Sequence, residues 1–265
     1  MAMTTFTRFA VLTTVLAYLL GATASFAQGP VFDRAMTCAS GDGDYGWGPH
    51  QIVVDGQGNT YVAGIFNGTI ALGSTILSAT QTAPDRARPS DIFLAKLDAA
   101  GTYQWAVQLG DNQAVNPSRL ALDSTGNLYL TGAFTSYSLQ VGASGPVLYN
   151  SSRGSEAFIA KFSGTTGQTL WARRAGGIGN EGFSALTTTP AGEVYVVGGG
   201  EAGADFGPLT LNAPTTVLAK FSSAGAWLWA RPLASIPIGI GKLWVDVQGD
   251  LYLAGAFQSP GITLG

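Results

Sequence analysis

The stretch DGQGNTYVAGIF (residues 55–66) decides the fold, because the chain repeats it. In this stretch an acidic turn with glycine and asparagine leads into a short apolar run that contains Tyr61 and Gly64. Related stretches occupy residues 123–134, 189–200 and 246–257. A period of roughly sixty residues is longer than one strand pair, and it favours one four-stranded sheet per repeat.

Four kinds of residue recur at fixed positions in the repeats, and we predict structural roles for them. A glycine within a strand indicates close approach by a neighbouring backbone. For the recurrent lysine we expect a stem packed between sheets and an ammonium that reaches an acid or a carbonyl. The recurrent residues are Tyr61, Tyr129, Tyr195 and Tyr252; Gly64, Gly132, Gly198 and Gly255; Lys96, Lys161 and Lys220; and Trp105, Trp171 and Trp229.

The apolar runs of the first full repeat predict four strands. These runs are short, rich in β-branched and aromatic residues, and bounded by turn residues. They span Gln51 to Asp55, Thr60 to Phe66, Ile92 to Leu97 and Gln104 to Leu109. Repeated four-stranded units with recurring glycine and aromatic positions are typical of a β-propeller, so we predict an all-β fold of four-stranded antiparallel blades.

Several of these segments resemble the bacterial β-propeller repeat of secreted and cell-surface proteins, often called the seven-bladed bacterial propeller repeat. The similar segments are residues 58–64, 126–132 and 91–98, the acidic glycine-rich residues 41–46, and the Trp-Ala pairs that begin at Trp105, Trp171 and Trp229. The resemblance implies one blade per repeat and an extracellular or envelope location. It usually brings no assigned activity.

The repeats divide the chain after residue 27 into units near 31–110, 111–176, 177–231 and 232–265. The last unit matches only the first half of a blade, so we expect an incomplete ring of about three full blades and a partial one. The stretch from Val31 to Met36 is predicted to supply an outer strand. We expect further repeats or a C-terminal module to follow, and completion by a partner chain is the alternative.

Residues 1–27 have the pattern of a secretory signal peptide. An apolar run from Phe9 to Leu20 follows Arg8, and the small-residue stretch that ends at Ala27 fits a cleavage site. Cleavage there removes one basic residue and leaves 12 Lys and Arg against 16 Asp and Glu, a balance that disfavours nucleic acid as a partner. No later run is apolar enough for a membrane span, so we predict an exported protein.

The single cysteine, Cys38, excludes an intramolecular disulfide, and we expect it to be a small buried residue. With one histidine, His50, the chain also lacks a His/Cys cluster for a metal. We predict no cofactor. A calcium ion bound by the acidic turns is the alternative, although the pattern lacks the oxygen ligands of an EF-hand loop.

Ligand binding is expected on the connections that differ between repeats. The long ones are residues 67–90, 135–156 and 201–214, and the second carries Tyr149 and Asn150. The shorter links share acidic or amide side chains that could bind a cation or a sugar, and nearby aromatic rings could stack on that sugar. These candidates are Asp42, Asp44, Tyr45, Trp47, Asp111, Asn112, Asn180 and Glu181, and the alternative is that they are solvated loop residues.

Catalysis finds little support in the sequence, because general acid-base and nucleophilic sites most often recruit histidine. The leading hypothesis is a secreted or cell-surface, non-catalytic scaffold that binds an extracellular protein or glycan. The second is a propeller lyase or hydrolase acting on extracellular polysaccharide through carboxylates and tyrosines. The third is a structural stalk for a C-terminal module.

Overall fold

The computed structural model describes residues 39–40, 48–80, 90–110, 115–151, 154–233 and 239–256, and every regular element in these ranges is a β-strand. The predicted outer strand from Val31 to Met36 and the signal stretch lie outside them. The nineteen strands are β1 (Ala39–Ser40), β2 (Gly48–Val54), β3 (Thr60–Phe66), β4 (Thr69–Leu72), β5 (Thr75–Ser78), β6 (Asp91–Leu97), β7 (Tyr103–Gly110), β8 (Val115–Leu122), β9 (Leu128–Phe134), β10 (Ser138–Val141), β11 (Val147–Tyr149), β12 (Glu156–Phe162), β13 (Thr169–Ala175), β14 (Gly182–Thr188), β15 (Val194–Gly200), β16 (Thr215–Phe221), β17 (Trp227–Pro232), β18 (Gly239–Val245) and β19 (Leu251–Ala256).

Three four-stranded antiparallel blades and the first two strands of a fourth follow one another along the chain. The strand orders are β2-β3-β6-β7, β8-β9-β12-β13, β14-β15-β16-β17 and β18-β19. The predicted all-β class with four-stranded antiparallel sheets is therefore confirmed. No helix among the described residues has the length and hydropathy to cross a membrane.

The predicted strands of the first repeat agree with the structure to within about three residues at each end. The run from Thr60 to Phe66 coincides with β3, and those starting at Ile92 and Gln104 each begin one residue late. The run from Gln51 to Asp55 begins three residues after β2 does. The difference arises at a bulge between Pro49 and Gln51. The residues before this bulge are not apolar, so the sequence pattern did not indicate that they pair with β3.

The first strand of each blade is the innermost, since β2 packs near β8, β8 near β14 and β14 near β18. The Ser184 hydroxyl on β14 donates to the carbonyl of Ile240 on β18 at 2.7 Å. Arg119 on β8 reaches past the third blade and donates to the carbonyl of Gly241 at 2.8 Å. These strands therefore converge, as blades arranged about an axis require.

The recurrent strand glycines lie against the backbone of their own blade, rather than that of a neighbouring blade. A Cβ at Gly64 would be 2.2 Å from the Gly48 carbonyl oxygen, and one at Gly132 would be 2.3 Å from that of Asn116. Both carbonyls lie at bulges where the first strand shifts register. The same contact recurs at Gly198 and Gly255, so each glycine makes room for the bulge of the innermost strand.

Two of the long connections contain a hairpin that the sequence analysis did not predict. The hairpin β4-β5 follows the second strand of the first blade, and β10-β11 follows that of the second. The β10-β11 hairpin pairs with β7, so it extends the outer edge of the preceding blade. The β4-β5 hairpin pairs with the short strand β1. In the third long connection, Asp205 forms a β-bridge with Gly176 at the end of β13. Each insertion thus covers part of an exposed strand edge.

The apolar core lies between the faces of consecutive blades. Phe134 and Phe158 of the second blade pack with Tyr61 and Leu94 of the first. Similar clusters join the second blade to the third and the third to the fourth. Each of these three clusters buries residues of two blades at once. A further cluster, which includes Phe66 and Phe93, packs the first blade against its own β4-β5 hairpin.

Candidate functional site

The acidic turn of each repeat is organised around its first carboxylate. In the second repeat, Asp123 Oδ1 accepts the backbone N–H groups of Thr125 and Asn127 at 3.0 and 2.9 Å. Its Oδ2 accepts the Tyr129 hydroxyl at 3.1 Å and lies 3.2 Å from the Lys161 ammonium. Asp55 holds its own turn and the Tyr61 hydroxyl with the same geometry.

These contacts set the charge of Asp123. Burial alone would raise its pKa, but the hydrogen bonds from Thr125, Asn127 and Lys161 outweigh burial and lower the pKa to about 2. Burial and the adjacent Asp55 raise the pKa of Tyr61 to about 12. At pH 7 the Asp123 carboxylate is therefore charged and the Tyr61 hydroxyl is neutral.

The recurrent lysine and tryptophan join the first blade to the second and the second to the third. Lys96 Nζ and Trp105 Nε1 both donate to the Gly164 carbonyl, at 3.1 and 3.3 Å, and Gly164 lies in the turn between β12 and β13. Lys161 and Trp171 donate in the same way to the Ser223 carbonyl at 3.3 and 3.0 Å. We call each such arrangement a clasp. The ammonium groups of Lys96, Lys161 and Lys220 also lie over the tyrosine rings at 5.2, 4.9 and 5.1 Å.

The acidic turn differs in the third repeat and keeps its aspartate and tyrosine in the fourth. Thr189 replaces the aspartate, and its hydroxyl accepts the Glu193 N–H at 3.1 Å. The Glu193 carboxylate then pairs with Lys220 at 2.6 Å. In the fourth repeat the Tyr252 hydroxyl donates to Asp246 at 3.2 Å. Glu193 was missed in the sequence because it occupies the position of Asn59 and Asn127, where nothing in one repeat indicates an ion pair.

The substitution Trp171→Phe tests the clasp. It removes the indole N–H from the Ser223 carbonyl and keeps an aromatic ring between the blades, so we expect a loss of about 1 kcal/mol in the free energy of unfolding. Urea denaturation of both proteins measures the loss. The exposed Leu228→Ala change controls for general sensitivity to substitution in this region. An unchanged midpoint in Trp171→Phe would show that the hydrogen bond does not hold the blades together.

The carboxylate oxygens of the acidic turns accept hydrogen bonds from the protein itself. This disfavours the alternative that these turns bind calcium. Both carboxylate oxygens of Asp55 accept hydrogen bonds within residues 55–61. Across the described ranges, no group of three or more His, Cys, Asp or Glu residues is placed to hold a metal ion. His50 is exposed on β2, beside the bulge.

Of the predicted ligand residues, Asn180 and Glu181 fall within the described ranges. Asn180 Oδ1 accepts the Ser155 N–H at 3.2 Å, and the Glu181 carboxylate accepts the N–H groups of Gly177 and Glu201 at 3.1 and 3.4 Å. Burial raises the pKa of Glu181, and the nearby Glu156 and Glu201 raise it further. Both side chains fasten the link between the second and third blades. The other candidates, Asp42, Asp44, Tyr45, Trp47, Asp111 and Asn112, lie outside the described residues.

An exposed tyrosine pair distinguishes the β10-β11 hairpin from its counterpart. Tyr137 is 77% exposed and Tyr149 is 59% exposed, and their ring centroids are 6.1 Å apart at an interplanar angle of 68°. In the β4-β5 hairpin, matching backbone positions hold Gly68 and Ser78. The sequence already placed Tyr149 in a variable connection. Its pairing with Tyr137 depends on a hairpin that had not been predicted.

A cleft of about 260 Å³ lies beside this hairpin. Its walls come from three elements: the hairpin β4-β5, the outer strand β7, and the β10 end of the hairpin β10-β11. The lining residues are Leu77, Thr80, Ala106, Val107, Gln108, Gly110, Gln140, Gly142 and Ala143. None of these side chains is charged, so the cleft suits a neutral ligand.

Comparison with known proteins supports the fold. Residues 104–133 match the family model described as the beta-propeller repeat (SBBP). The matched segment runs from the outer strand β7 through β8 to β9, and therefore crosses the junction between the first two blades. A search of curated proteins gave no match. The resemblance to a β-propeller repeat seen in the sequence is therefore confirmed for residues 104–133.

Proposed function

We propose that the protein is a secreted or cell-surface, non-catalytic propeller scaffold that binds an extracellular protein or glycan through the connections that differ between its repeats. One observation carries this proposal: the exposed pair Tyr137 and Tyr149 stands where the matching hairpin has Gly68 and Ser78. Exposed tyrosines supply large contact areas at low entropic cost, which makes them common in binding surfaces.

The repeated residues support the same proposal by their contacts. Asp123, Tyr129, Lys161 and Trp171 are engaged with one another or with the next blade, so the arrangement they share with the other repeats is accounted for by the scaffold. A propeller of this kind holds its variable connections in fixed positions. Specific recognition then belongs to those connections.

Export is part of the proposal and rests on the sequence. Residues 1–27 combine one basic residue, an apolar run and a small-residue cleavage stretch. Mass spectrometry of the N-terminal peptide of the protein recovered from the medium or periplasm of an expressing bacterium tests this directly, because it also detects an N-terminal glutamine that has cyclised. A mature N-terminus at Gln28 is expected, and an intact Met1 would contradict export by this signal.

An exchange of hairpins tests the binding function. Residues 137–149 are replaced by residues 68–78, which form a hairpin of the same antiparallel type. We expect the wild type to bind members of a glycan or envelope-protein array and the exchanged protein to lose that binding. Loss by a factor of about ten or more corresponds to removal of at least 1.4 kcal/mol of contact energy.

The reciprocal exchange is the matched control. Replacing residues 68–78 by residues 137–149 leaves the original tyrosine pair in place and puts Leu148 at the position where Leu77 lines the cleft, so binding is expected to persist. Circular dichroism and the denaturation midpoint establish that both exchanged proteins are folded. If the wild type bound none of the glycans or envelope proteins on the array, the proposed function would be contradicted.

A further inference from the structure

We infer that the cleft beside β7, together with the tyrosine pair Tyr137 and Tyr149, is a binding site for a glycan chain of neutral hexose residues. This inference rests on the proposed binding function and names its ligand class. The glycan would place one sugar ring in the cleft and lay the next across the tyrosine rings.

The part of the cleft formed by β7 and β10 lies on the same face of one sheet as Tyr149 on β11. Gln140 on β10 pairs with Gly110 on β7 and with Val147 on β11. Tyr149 lies two residues beyond Val147, and side chains two residues apart on a strand point to the same face. Leu148, between them, is buried on the opposite face. A chain-like ligand can therefore cross from the cleft to the tyrosines without passing over a strand edge.

Two glutamines give the cleft fixed hydrogen-bonding groups. The Gln140 side-chain nitrogen donates to the carbonyls of Gly142 and Gly145 at 2.7 and 2.9 Å. The Gln108 side-chain nitrogen donates to the Ser78 carbonyl at 2.8 Å and to the buried Asp91 carboxylate. Because both N–H groups of each amide are engaged, each amide offers its oxygen as an oriented acceptor. Sugar hydroxyls are donors of the matching kind.

The rest of the cleft suits the apolar face of a sugar ring. Leu77, Ala106 and Val107 contribute aliphatic surface, and none of the lining side chains carries a charge. The volume of about 260 Å³ is just below the roughly 300–1,000 Å³ typical of sites for drug-sized ligands, as expected for a single ring. An anionic ligand would be desolvated there beside the buried Asp91 carboxylate, which is costly. A cationic ligand would be separated from that carboxylate by Thr80 and Gln108, which already donate hydrogen bonds to it.

The tyrosine pair supplies the second contact. Its rings contact each other edge to face, and each ring keeps more than half of its surface exposed. A tyrosine side chain has only two χ angles, so it supplies a large contact area at low entropic cost. The hydroxyl of each tyrosine adds a donor and an acceptor for hydroxyl groups of the sugar.

The experiment measures binding of gluco-, galacto- and manno-configured tetrasaccharides to the whole chain by isothermal titration calorimetry. Three variants are compared with the wild type. The double variant Tyr137→Ser with Tyr149→Ser removes the aromatic surface, and Ala143→Phe fills the cleft from an exposed position. The control is Ile76→Ser, because Ile76 is an exposed residue of β5 that does not line the cleft. We expect at least one tetrasaccharide to bind, with Kd raised roughly tenfold or more in the first two variants and less than twofold in the third.

The outcomes separate the site from the general function. Tetrasaccharide binding that is unaffected in both site variants overturns the site and leaves a glycan-binding scaffold. Binding of envelope proteins without any tetrasaccharide overturns the site and leaves a protein-binding scaffold. Silence toward both classes overturns the site and the proposed function together. Denaturation midpoints within a few degrees of the wild type confirm that each variant is folded.

Discussion

The substitution Gly132→Ala is expected to destabilise the protein by about 3 kcal/mol or more, among the largest effects of a single methyl group. A Cβ at this position would lie 2.3 Å from the Asn116 carbonyl oxygen and 2.5 Å from Cε1 of Phe158. Neither neighbour has room to move, because Asn116 belongs to the strand β8 and Phe158 is fully buried. The blade has to open at its bulge, or the ring has to leave the core.

Gly182→Ala is the matched control. Gly182 is also a strand glycine, but the nearest atom to a Cβ there is the Ala133 side chain at 4.0 Å, an ordinary contact. We expect its free energy of unfolding to stay within about 1 kcal/mol of the wild type. Urea denaturation of the three proteins gives both values. Equal effects of the two substitutions would contradict the role assigned to the recurrent glycine.

The substitution Asp123→Asn is expected to cost about 3 kcal/mol, because it leaves the ammonium of Lys161 without its charged partner. The two side chains are 2% and 8% exposed, so water replaces the lost contact poorly. In the variant, the amide N–H group also faces the Asn127 N–H or the Tyr129 hydroxyl, which in the wild type donate to the Asp123 carboxylate oxygens. Chemical denaturation at pH 7 measures the cost.

Glu193→Gln serves as the comparison, since it removes the charge that faces the equivalent lysine in the third blade. Glu193 is 34% exposed and Lys220 is 17% exposed. Exposed ion pairs contribute about 0–1 kcal/mol, so the expected loss is correspondingly small. A loss as large as that of Asp123→Asn would show that burial does not decide the strength of these pairs.

The pH dependence of stability provides an independent check on Asp123. Its pKa is about 2 in the folded chain and about 3.9 in an unfolded chain. Because the folded pKa is the lower one, its contribution is present above about pH 4 and is lost as the pH falls toward 2. The difference in unfolding free energy between the wild type and Asp123→Asn should therefore shrink by roughly 2 kcal/mol over that interval. A constant difference would contradict the assigned ionisation.

Sequence alone predicted the blades because their signals are local. In the acidic turn before Tyr61, the Asp55 carboxylate accepts the N–H group of Asn59, so the turn is determined by residues only four positions apart. The strand β3 follows as an apolar run with the same bounds in the prediction and in the structure. The positive φ of Gly58 in this turn is likewise encoded by one residue. Repetition of the same local signals then indicated the architecture.

The inserted hairpins were missed because their stability depends on distant strands. The segment Thr69–Leu72 alternates in burial, as a strand should, but it spans only four residues. The β10-β11 hairpin is held by β7, which precedes it by nearly thirty residues in the chain. The tyrosine pair and the cleft depend on this pairing, so the candidate site could not be predicted from one repeat. Asn180 and Glu181, which the sequence predicts as ligand residues, accept hydrogen bonds in and beside the link between the second and third blades.

Binding by two variants tests most directly whether the repeats supply the scaffold and the unrepeated hairpin supplies recognition. One variant has residues 137–149 exchanged for residues 68–78, and the other is Trp171→Phe. Both are measured against the same array ligand as the wild type, under conditions where each is more than nine-tenths folded. We predict that the hairpin exchange abolishes binding while Trp171→Phe binds with unchanged affinity. Retained binding in the hairpin exchange, or lost binding in folded Trp171→Phe, would contradict this division of roles.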